Sequence, residues 1–544
     1  MDSSVPSYPQ ANPLPRRRNA GFAGVGALLF SALILLGSVG AGLCEDPSDP
    51  IINLFLQKGF ITESEAAKAR AEIASIRTNE VSQMPRLPQP KWGISQAIKN
   101  IELFGDVRLR YEYRSVEDPA GGNIDLQRFR YAARVGVRGS LFDDFYYGLR
   151  LDTSSNPRSS WLTFGTSSSG TPYNGPFGKS KADIAVGQAY LGWHGQDWLD
   201  LTLGKMPNPL YTTPMVWDPD LNPEGAAEHL RYTVGSADLF ATLGQFLYED
   251  INPYSASGGL GFNGLTGQNG QDVFMLAWQG GMNYHITTNT TVKVAPVLYK
   301  YVGLRRSSIN SPNVTAPFFG DPYIGEGAYL GPGTGTAAGY AGYGIAGTLP
   351  GFGSVDYPLN QVGLNNLLVV EVPFELDFEL WKLDASLFGD AAYNLEGNDR
   401  AKAAAAGYAY WLANQPTPPT IRPFAPQKNE DKAYQIGFAI GSKKGWLGRT
   451  RHPWELRTYW QHTEQYSLDP NLIDSDVFEG RENLEGINVQ LTYGLTPNFI
   501  ASVRYAYASR INDKLGTGGS NQDIPQMNPI QDFSLLQLDL SLRF

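Results

Sequence analysis

Arginine recurs at alternating positions between residues 108 and 150 of this chain. The set consists of Arg108, Arg110, Arg114, Arg128, Arg130, Arg134, Arg138 and Arg150. Alternate residues of a β-strand share one face, and the intervening positions, such as Val107, Leu109 and Phe129, are apolar. A guanidinium stays charged and binds anions in a fixed, often bidentate geometry. The pattern therefore predicts a wall of fixed positive charge.

A water-filled lumen is the environment that suits such a wall best. An arginine that faces lipid near the bilayer midplane costs about 2–4 kcal/mol. A dry barrel interior would require every arginine to be paired, because an unmatched buried ion costs several kcal/mol. Water inside the barrel removes both costs. The arginines are therefore predicted to line the lumen of a barrel.

Acidic residues that could face this wall occur in two places. The segment from Met206 to Ala227 is rich in proline and contains Asp218, Asp220 and Glu224. A second set, predicted on the polar faces of the tenth and eleventh strands, consists of the acids Glu371, Asp384 and Asp390 together with Lys382. Opposed basic and acidic walls create a transverse field that favours small hydrated solutes. An exposed acidic loop remains an alternative for the first segment.

Other kinds of site have weaker support. Asp218, Asp220, Asn222 and Glu224 alternate like calcium ligands, but Pro223 stands where glycine is expected and the twelfth position has no glutamate, so no metal is predicted. The chain has five histidines and no GxSxG, HExxH or phosphate-loop motif, which argues against an enzyme and against a cofactor. Cys44 is the single cysteine, so no internal disulfide is possible. A net charge of −10 argues against a nucleic-acid partner.

Alternation of apolar and polar residues continues to the end of the chain. It predicts about sixteen strands, at 101–114, 126–139, 144–153, 184–194, 198–205, 228–235, 238–248, 272–286, 290–301, 362–373, 378–392, 432–442, 453–464, 484–494, 498–509 and 531–544. Short and long connections alternate between them. This is typical of an all-β, transmembrane, antiparallel up-and-down β-barrel rather than a sandwich or propeller. The longest connection, about 303–360, could cap the mouth, bind a partner or be a flexible surface loop.

The amino-terminal segments are predicted to lie outside the barrel, which spans 99–544. Arg16, Arg17 and Arg18 precede an apolar run, so residues 1–41 are predicted to be a cleaved signal peptide, with an uncleaved membrane anchor as the alternative. Residues 42–77 are predicted to be a periplasmic helical segment with a capping box at Thr62 and Glu65. Its apolar stripe could pack within a helical hairpin, on the barrel, or between subunits. Residues 78–98 form a proline-containing linker.

Four segments, in this order, resemble the putative porin family of Gram-negative bacteria: IINLFLQKGFITESEAAKAR, FGDVRLRYEY, LGKMPNP and WDPDLNPEG. The resemblance implies an outer-membrane channel for passive diffusion of small hydrophilic solutes or ions. In general porins of sixteen strands the third long loop folds inward, and Met206–Ala227 is third in order here. Solute identity and ion selectivity stay open.

The resemblance also implies partners. They are outer-membrane lipids, lipopolysaccharide and the barrel assembly machinery, which would recognise the terminal Phe544 after the alternating Leu536, Leu538, Leu540 and Leu542. A monomer and a homotrimer are both compatible with the sequence. An adhesive or structural barrel, and less favourably an outer-membrane hydrolase, are the alternative functions.

Overall fold

The computed structural model describes residues 62–68, 97–119, 121–142, 144–154, 159–165, 183–249, 273–302, 367–402, 426–442, 452–517, 523–524, 527 and 529–544. The chain divides into two compact units, residues 1–93 and 94–544. The predicted signal peptide, the linker up to residue 96 and the 303–360 connection lie outside the described residues, so those predictions stay untested.

One turn of the predicted amino-terminal helix is described, and it contains the capping box. Residues 63–68 are helical. The backbone N–H of Thr62 donates to Glu65 Oε2 at 2.8 Å, and the N–H of Glu65 donates to Thr62 Oγ1 at 3.4 Å. These reciprocal bonds satisfy donors that the first turn of a helix would otherwise leave unpaired.

The second unit is a single antiparallel sheet. Its strands are β1 Glu102–Glu117, β2 Asn123–Ser140, β3 Phe145–Ser154, β4 Asp183–Gln196, β5 Leu199–Lys205, β6 Glu224–Val234, β7 Ala237–Glu249, β8 Val273–Thr287, β9 Thr290–Val294 with Val297–Val302, β10 Leu368–Glu371 with Phe374–Leu380, β11 Leu383–Asn394, β12 Lys432–Gly441, β13 Trp454–Thr463, β14 Leu484–Gly494, β15 Phe499–Arg510 and β16 Asp532–Arg543. A two-residue piece, Leu162–Thr163, pairs with β2 beyond the end of β3. The sequence prediction of sixteen strands is confirmed.

Proline explains the two broken strands. Pro296 interrupts β9 and Pro373 interrupts β10, and the two strands lie side by side. Proline has no N–H for the ladder, so the pairing is interrupted there and resumes beyond it. The N–H of Ala295 still donates to the carbonyl of Pro373 at 3.1 Å, which keeps the two strands together.

The sheet closes between its first and last strands. β1 pairs with β16 in one continuous register from Asp106–Arg543 to Glu117–Asp532. The ladder is completed by Gly105 and Phe544, which exchange backbone hydrogen bonds of 2.9 and 3.1 Å. The fold is therefore a closed antiparallel barrel, as predicted, and it has no open first or last edge.

Turns of two to four residues follow β2, β4, β6, β8, β10 and β14, and they define the short-turn end of the barrel. The connection after β12, residues 442–453, is longer. The turn between β10 and β11 was predicted near residue 375, which is wrong, because it lies at Trp381 and Lys382. Both have positive φ, 51° and 66°, as a tight hairpin turn requires. Neither is a usual turn residue, so no local pattern marks this turn.

The inside of the barrel holds apolar clusters as well as charges. One cluster joins Met206, Met215 and Trp217 of the β5–β6 connection to Leu468 and Leu472 of the β13–β14 connection. A second packs Phe478, Ile524, Met527 and Ile530 from connections against Phe533 of β16. These side chains are buried because the connections fold into the barrel. Among the described residues, no helix is long and apolar enough to cross a bilayer.

Candidate functional site

The predicted basic wall lies on the inner face of β1 and β2. In the pair formed by these strands, Arg110 stands opposite Arg130, while Leu109 opposite Tyr131 belongs to the outer face. Trp161, from the chain that follows β3, is buried inside against this wall. The guanidinium carbons of Arg108, Arg110 and Arg130 lie 4.8, 4.1 and 5.8 Å from the centre of its ring. Such cation–π contacts hold several like charges beside one flat apolar surface.

Carboxylates from three different connections reach the wall. Arg134 Nη1 donates to Asp220 of the β5–β6 connection at 2.9 Å. Arg110 Nη1 donates to Asp476 of the β13–β14 connection at 2.6 Å. Arg128 Nη2 lies 2.5 Å from Asp523 of the β15–β16 connection. The arginines therefore fasten three inward-folded connections to the barrel.

The wall also contains its own carboxylates. Glu112, fully buried, lies 3.1 Å from Arg114 and 2.5 Å from Arg128. Asp106 lies 2.6 Å from Arg134, and Asp539 of β16 lies 2.7 Å from Arg110. Arg114 is also fully buried, so its pairing offsets a desolvation cost of several kcal/mol. The wall is thus a paired ion network, and not a row of free positive charges.

Two of the predicted arginines lie away from the network. Arg138 forms an exposed pair with Glu102 at 2.8 Å, near the short-turn end. Arg150 donates to its strand neighbour Asp152 at 2.7 Å. Because exposed pairs are screened by water, the Arg138 pair contributes little to stability.

The opposite wall, β10 and β11, holds the same loop through hydroxyl groups. We call residues 206–223, between β5 and β6, the cross-lumen loop. Tyr211 donates to Glu375 at 2.9 Å, Thr212 to Glu371 at 2.6 Å and Thr213 to Asp390 at 2.5 Å. Since Asp220 of this loop reaches the arginines of β1 and β2, the loop crosses the barrel interior from one wall to the other.

The cross-lumen loop is packed as well as anchored. Trp217 is buried, contacts the rings of Phe246 and Tyr299 at centroid distances of 6.2 and 6.4 Å, and donates its indole N–H to the carbonyl of Leu221. The N–H of Asp218 donates to the carbonyl of Leu472 at 2.5 Å, and that of Asp474 to the carbonyl of Pro214 at 3.1 Å. The loop and the β13–β14 connection therefore form one unit inside the barrel.

Aspartates meet where these two connections touch. Burial, together with the charges of Asp474 and Asp220, raises the pKa of Asp218 well above its usual value. Burial and the neighbouring Asp476 raise the pKa of Asp474 to about 7. Burial acts in the same direction on Asp476, but the Arg110 guanidinium outweighs it and holds the pKa of Asp476 well below its usual value. One aspartate is thus kept ionised by the wall while its neighbours are biased towards the neutral acid.

Three predicted site residues are placed differently from the rest. Glu224 begins β6, faces outward and pairs with Lys205 at 2.6 Å, so its prediction as a constriction residue is wrong. Lys382 lies in the β10–β11 turn and is exposed, so it is not on a strand face, because the turn falls about six residues later than predicted. Asp384 alternates with Asp390 on the inner face, but lies at the short-turn end of β11. Glu371 and Asp390 are buried at the predicted wall.

The sequence prediction missed Asp474, Asp476, Asp523 and Trp161. A signal for the first two exists, because an aspartate–proline step and an Asp-x-Asp pair occur both in WDPDLNP of the cross-lumen loop and in LDPNLIDSD of the β13–β14 connection. The alternating residues that resemble calcium ligands are held apart. Asn222 accepts from Gln188 at 3.0 Å while Glu224 pairs with Lys205.

Residues 119–319 match the model of a protein family described as putative porin. The match confirms the resemblance to putative porins. No curated protein matches the chain. Among solved structures, OmpF of Salmonella typhi in complex with daunomycin aligns at 8% identity and a TM-score of 0.40, covering 83% of this chain and 99% of that one. OmpT, an outer-membrane protein of Vibrio cholerae, aligns at 9% identity and a TM-score of 0.36, covering 82% and 99%.

The family match and the barrel architecture both bear on the function of this chain. A closed barrel of sixteen strands with outward apolar residues, such as Leu109, Leu149 and Leu191, is an outer-membrane architecture. Together with the match over residues 119–319, it supports an outer-membrane porin function and favours a channel over an enzyme.

Proposed function

We propose that this protein is an outer-membrane porin, through which small hydrophilic solutes or ions diffuse passively, and that the cross-lumen loop sets the width of its pore. The observation that carries the proposal is the loop itself, anchored to Glu371 and Asp390 on one wall and to Arg134 on the other. A segment that crosses the interior of a barrel controls what can pass.

The proposal gives the barrel an orientation in the membrane. The short-turn end faces the periplasm, as in bacterial outer-membrane barrels, and the long connections face outward. Phe544 lies at the short-turn end beside Gly105. It is the residue we propose the barrel assembly machinery recognises. Outer-membrane lipids and lipopolysaccharide surround the apolar outer face, and the barrel works as a monomer or a homotrimer.

The basic wall is proposed to line the pore beside the loop. Arg134 contacts Asp220 of the loop, Arg128 contacts Asp523 of the β15–β16 connection and Arg130 lies between them on β2, whereas Arg138 is exposed at the short-turn end. Fixed positive charge enriches anions locally, and each carboxylate from a loop reduces that effect. The Arg wall, the acids of the loop and the opposing Glu371 and Asp390 would together polarise the constriction.

Planar-bilayer recording tests both parts of this proposal. Purified protein should give stepwise conductance, and a bilayer that stays sealed at high protein load would contradict a porin. Replacing Arg128, Arg130 and Arg134 together by Ala should shift the reversal potential in a salt gradient towards cations. Arg138→Ala is the matched control and should shift it less. Equal shifts would place the three arginines away from the narrowest part of the pore.

A further inference from the structure

A cavity lies between the cross-lumen loop and strands β6 to β9, on the short-turn side of the loop. Its volume is about 490 Å³, and its lining includes Tyr211, His229, Arg231, Phe240, Asn283 and Lys293. Sites for small organic molecules have volumes of roughly 300–1,000 Å³. The cavity is therefore large enough for a small solute, and it is separate from the arginine network of β1 and β2.

Lys293 is a cation in this cavity whose donors are free. Its ammonium lies 3.4 Å from the centre of the Tyr211 ring and 5.8 Å from that of Phe240. Within the part of the chain that the structure describes, Lys293 makes no hydrogen bond and no ion pair. By contrast, Arg231 lies 2.8 Å from Asp200. A half-buried ammonium with three unused donors favours a ligand that brings an anionic acceptor.

The neighbouring polar groups determine how much negative charge the cavity accepts. Glu375 stands opposite Lys293 in the β9–β10 pair and accepts the hydroxyl of Tyr211 at 2.9 Å. Asp238 already accepts from Thr233 at 2.7 Å and lies 2.9 Å from His285. His229 uses Nδ1 with Thr242 at 2.9 Å, so Nε2 is not used in that contact. The carboxylate of Asp377 also acts electrostatically on the Lys293 ammonium. One ammonium beside two carboxylates suits a monoanion better than a dianion.

Aromatic rings form the apolar part of the lining. A Cβ atom at Gly281 would lie 2.2 Å from the Phe240 ring, so the ring lies directly over this glycine. The imidazole of His229 lies 5.9 Å from the Phe240 ring at an angle of 30°. Flat aromatic surfaces favour stacking with a planar ring. We propose that the cavity binds a small aromatic monocarboxylate, with the carboxylate on Lys293 and the ring near Phe240 and Tyr211.

This inference rests on the proposed function only in treating the ligand as a transported solute, so binding can be tested without transport. Benzoate is titrated into the folded protein in detergent micelles by isothermal calorimetry. Benzoate should bind more tightly than benzyl alcohol, which lacks the charge, and than acetate, which lacks the ring. Benzyl alcohol binding as tightly as benzoate would overturn the role of Lys293. Acetate binding as tightly would overturn the role of the rings.

Lys293→Gln is the decisive variant, and Lys382→Gln is its control, because Lys382 is an exposed lysine in the β10–β11 turn. Lys293→Gln should weaken benzoate binding about tenfold, the loss expected for one charge-assisted hydrogen bond. Lys293→Arg should retain part of the binding, and Lys382→Gln should leave it unchanged. Unaltered binding in Lys293→Gln, or equal losses in the two Gln variants, would overturn the proposal.

The outcomes separate this site from the porin function. A protein that conducts in bilayers but does not bind benzoate would overturn the site and leave the channel intact. A protein that binds benzoate through Lys293 but keeps bilayers sealed would contradict the channel and support the site. Far-ultraviolet circular dichroism, showing the same β-sheet signal in each variant, confirms that the compared proteins are folded.

Discussion

The two walls that hold the cross-lumen loop use different chemistry for the same task. At β1 and β2, the carboxylate belongs to the loop and the cation to the barrel, as in the 2.9 Å contact between Asp220 and Arg134. At β10 and β11, the carboxylates belong to the barrel and the loop supplies neutral hydroxyls, Thr212 and Thr213, at 2.6 and 2.5 Å. The first contact is sensitive to salt, and the second is much less so.

Burial strengthens the contrast between the walls. Glu371 and Asp390 are almost fully buried, whereas the side chains of Asp220 and Arg134 keep 23% and 20% exposure. A buried acceptor that loses its donor suffers the desolvation cost of the unsatisfied group, about 1–3 kcal/mol or more. A partly exposed ion pair can exchange its partner for water and ions at lower cost. The hydroxyl wall is therefore the firm anchor, and the arginine wall is the releasable one.

Removing the loop's central part eliminates the ionic anchor at Asp220 and the segment that connects it to the hydroxyl anchor, so this change should have the largest effect. Deletion of residues 214–221 removes Asp218, Asp220 and the buried Trp217. Single-channel conductance should rise by about a factor of two or more, because conductance follows the open cross-section of the narrowest part. Larger sugars should also enter in a liposome-swelling assay. Unchanged conductance and sugar cutoff would show that the constriction lies elsewhere, first of all in the 303–360 connection.

Most of the barrel could be predicted from the sequence because alternation is a local property of each strand. Leu538 and Leu540 alternate with Gln537 and Asp539, and these two pairs occupy opposite faces of β16 as predicted. The β10–β11 turn was misplaced because Trp381 and Lys382 are not typical residues for positive φ. Local sequence patterns predict strands well, but they predict a turn only when the turn has characteristic residues.

Contacts made by the connections depend on long-range packing, which no local pattern encodes. Asp220 could be matched to the arginines because both carry obvious charge. The contact of Thr212 with Glu371 joins residues 159 positions apart, and a threonine hydroxyl gives no signal of its partner. Asp476 was missed for a related reason, since several connections are long and acidic and the sequence does not show which of them fold inward.

Point substitutions at the two anchors should distinguish the contribution of each anchor. Their effect on the channel current should be smaller than that of the deletion. Asp220→Asn removes the charge that Arg134 holds, and Thr212→Val removes the hydroxyl that Glu371 accepts. Open-channel current noise should increase in both variants as the loop loosens. Raising salt from about 0.1 to 1 M shortens the Debye length from about 10 to 3 Å. High salt should therefore increase noise in wild type and in Thr212→Val, and have little further effect in Asp220→Asn.

Equal salt responses in all three proteins would contradict the assignment of the ionic anchor to Asp220. Asn208→Ser is a suitable control in the same loop, because the side chain of Asn208 accepts the backbone N–H of Leu210 at 3.0 Å, a contact within the loop and away from Asp220 and Thr212. Its current noise should resemble that of the wild type at both salt concentrations. A Thr212→Val variant that is quieter than Asp220→Asn at low salt would reverse the proposed order of the two anchors.

Protonation of Asp474 should have the smallest effect and should reveal how the two connections are held together. Burial and Asp476 raise its pKa from 3.8 to about 7, so the folded protein binds a proton that the unfolded chain releases near pH 4. The resulting stabilisation is fully present below about pH 4 and is lost as pH rises through about 7. Each pKa unit corresponds to about 1.4 kcal/mol.

Hydrogen exchange of residues 464–483 should therefore become faster, relative to the intrinsic rate, as pH rises from 5 to 8. The variant Asp474→Asn cannot ionise at this position and should flatten this dependence. Asp476 adds nothing to the pH dependence of stability between pH 5 and 8, because Arg110 keeps it ionised throughout this range. A pH dependence that survives Asp474→Asn would show that the proton belongs to another group, and Asp218, whose pKa is also raised by burial, would be the next residue to replace.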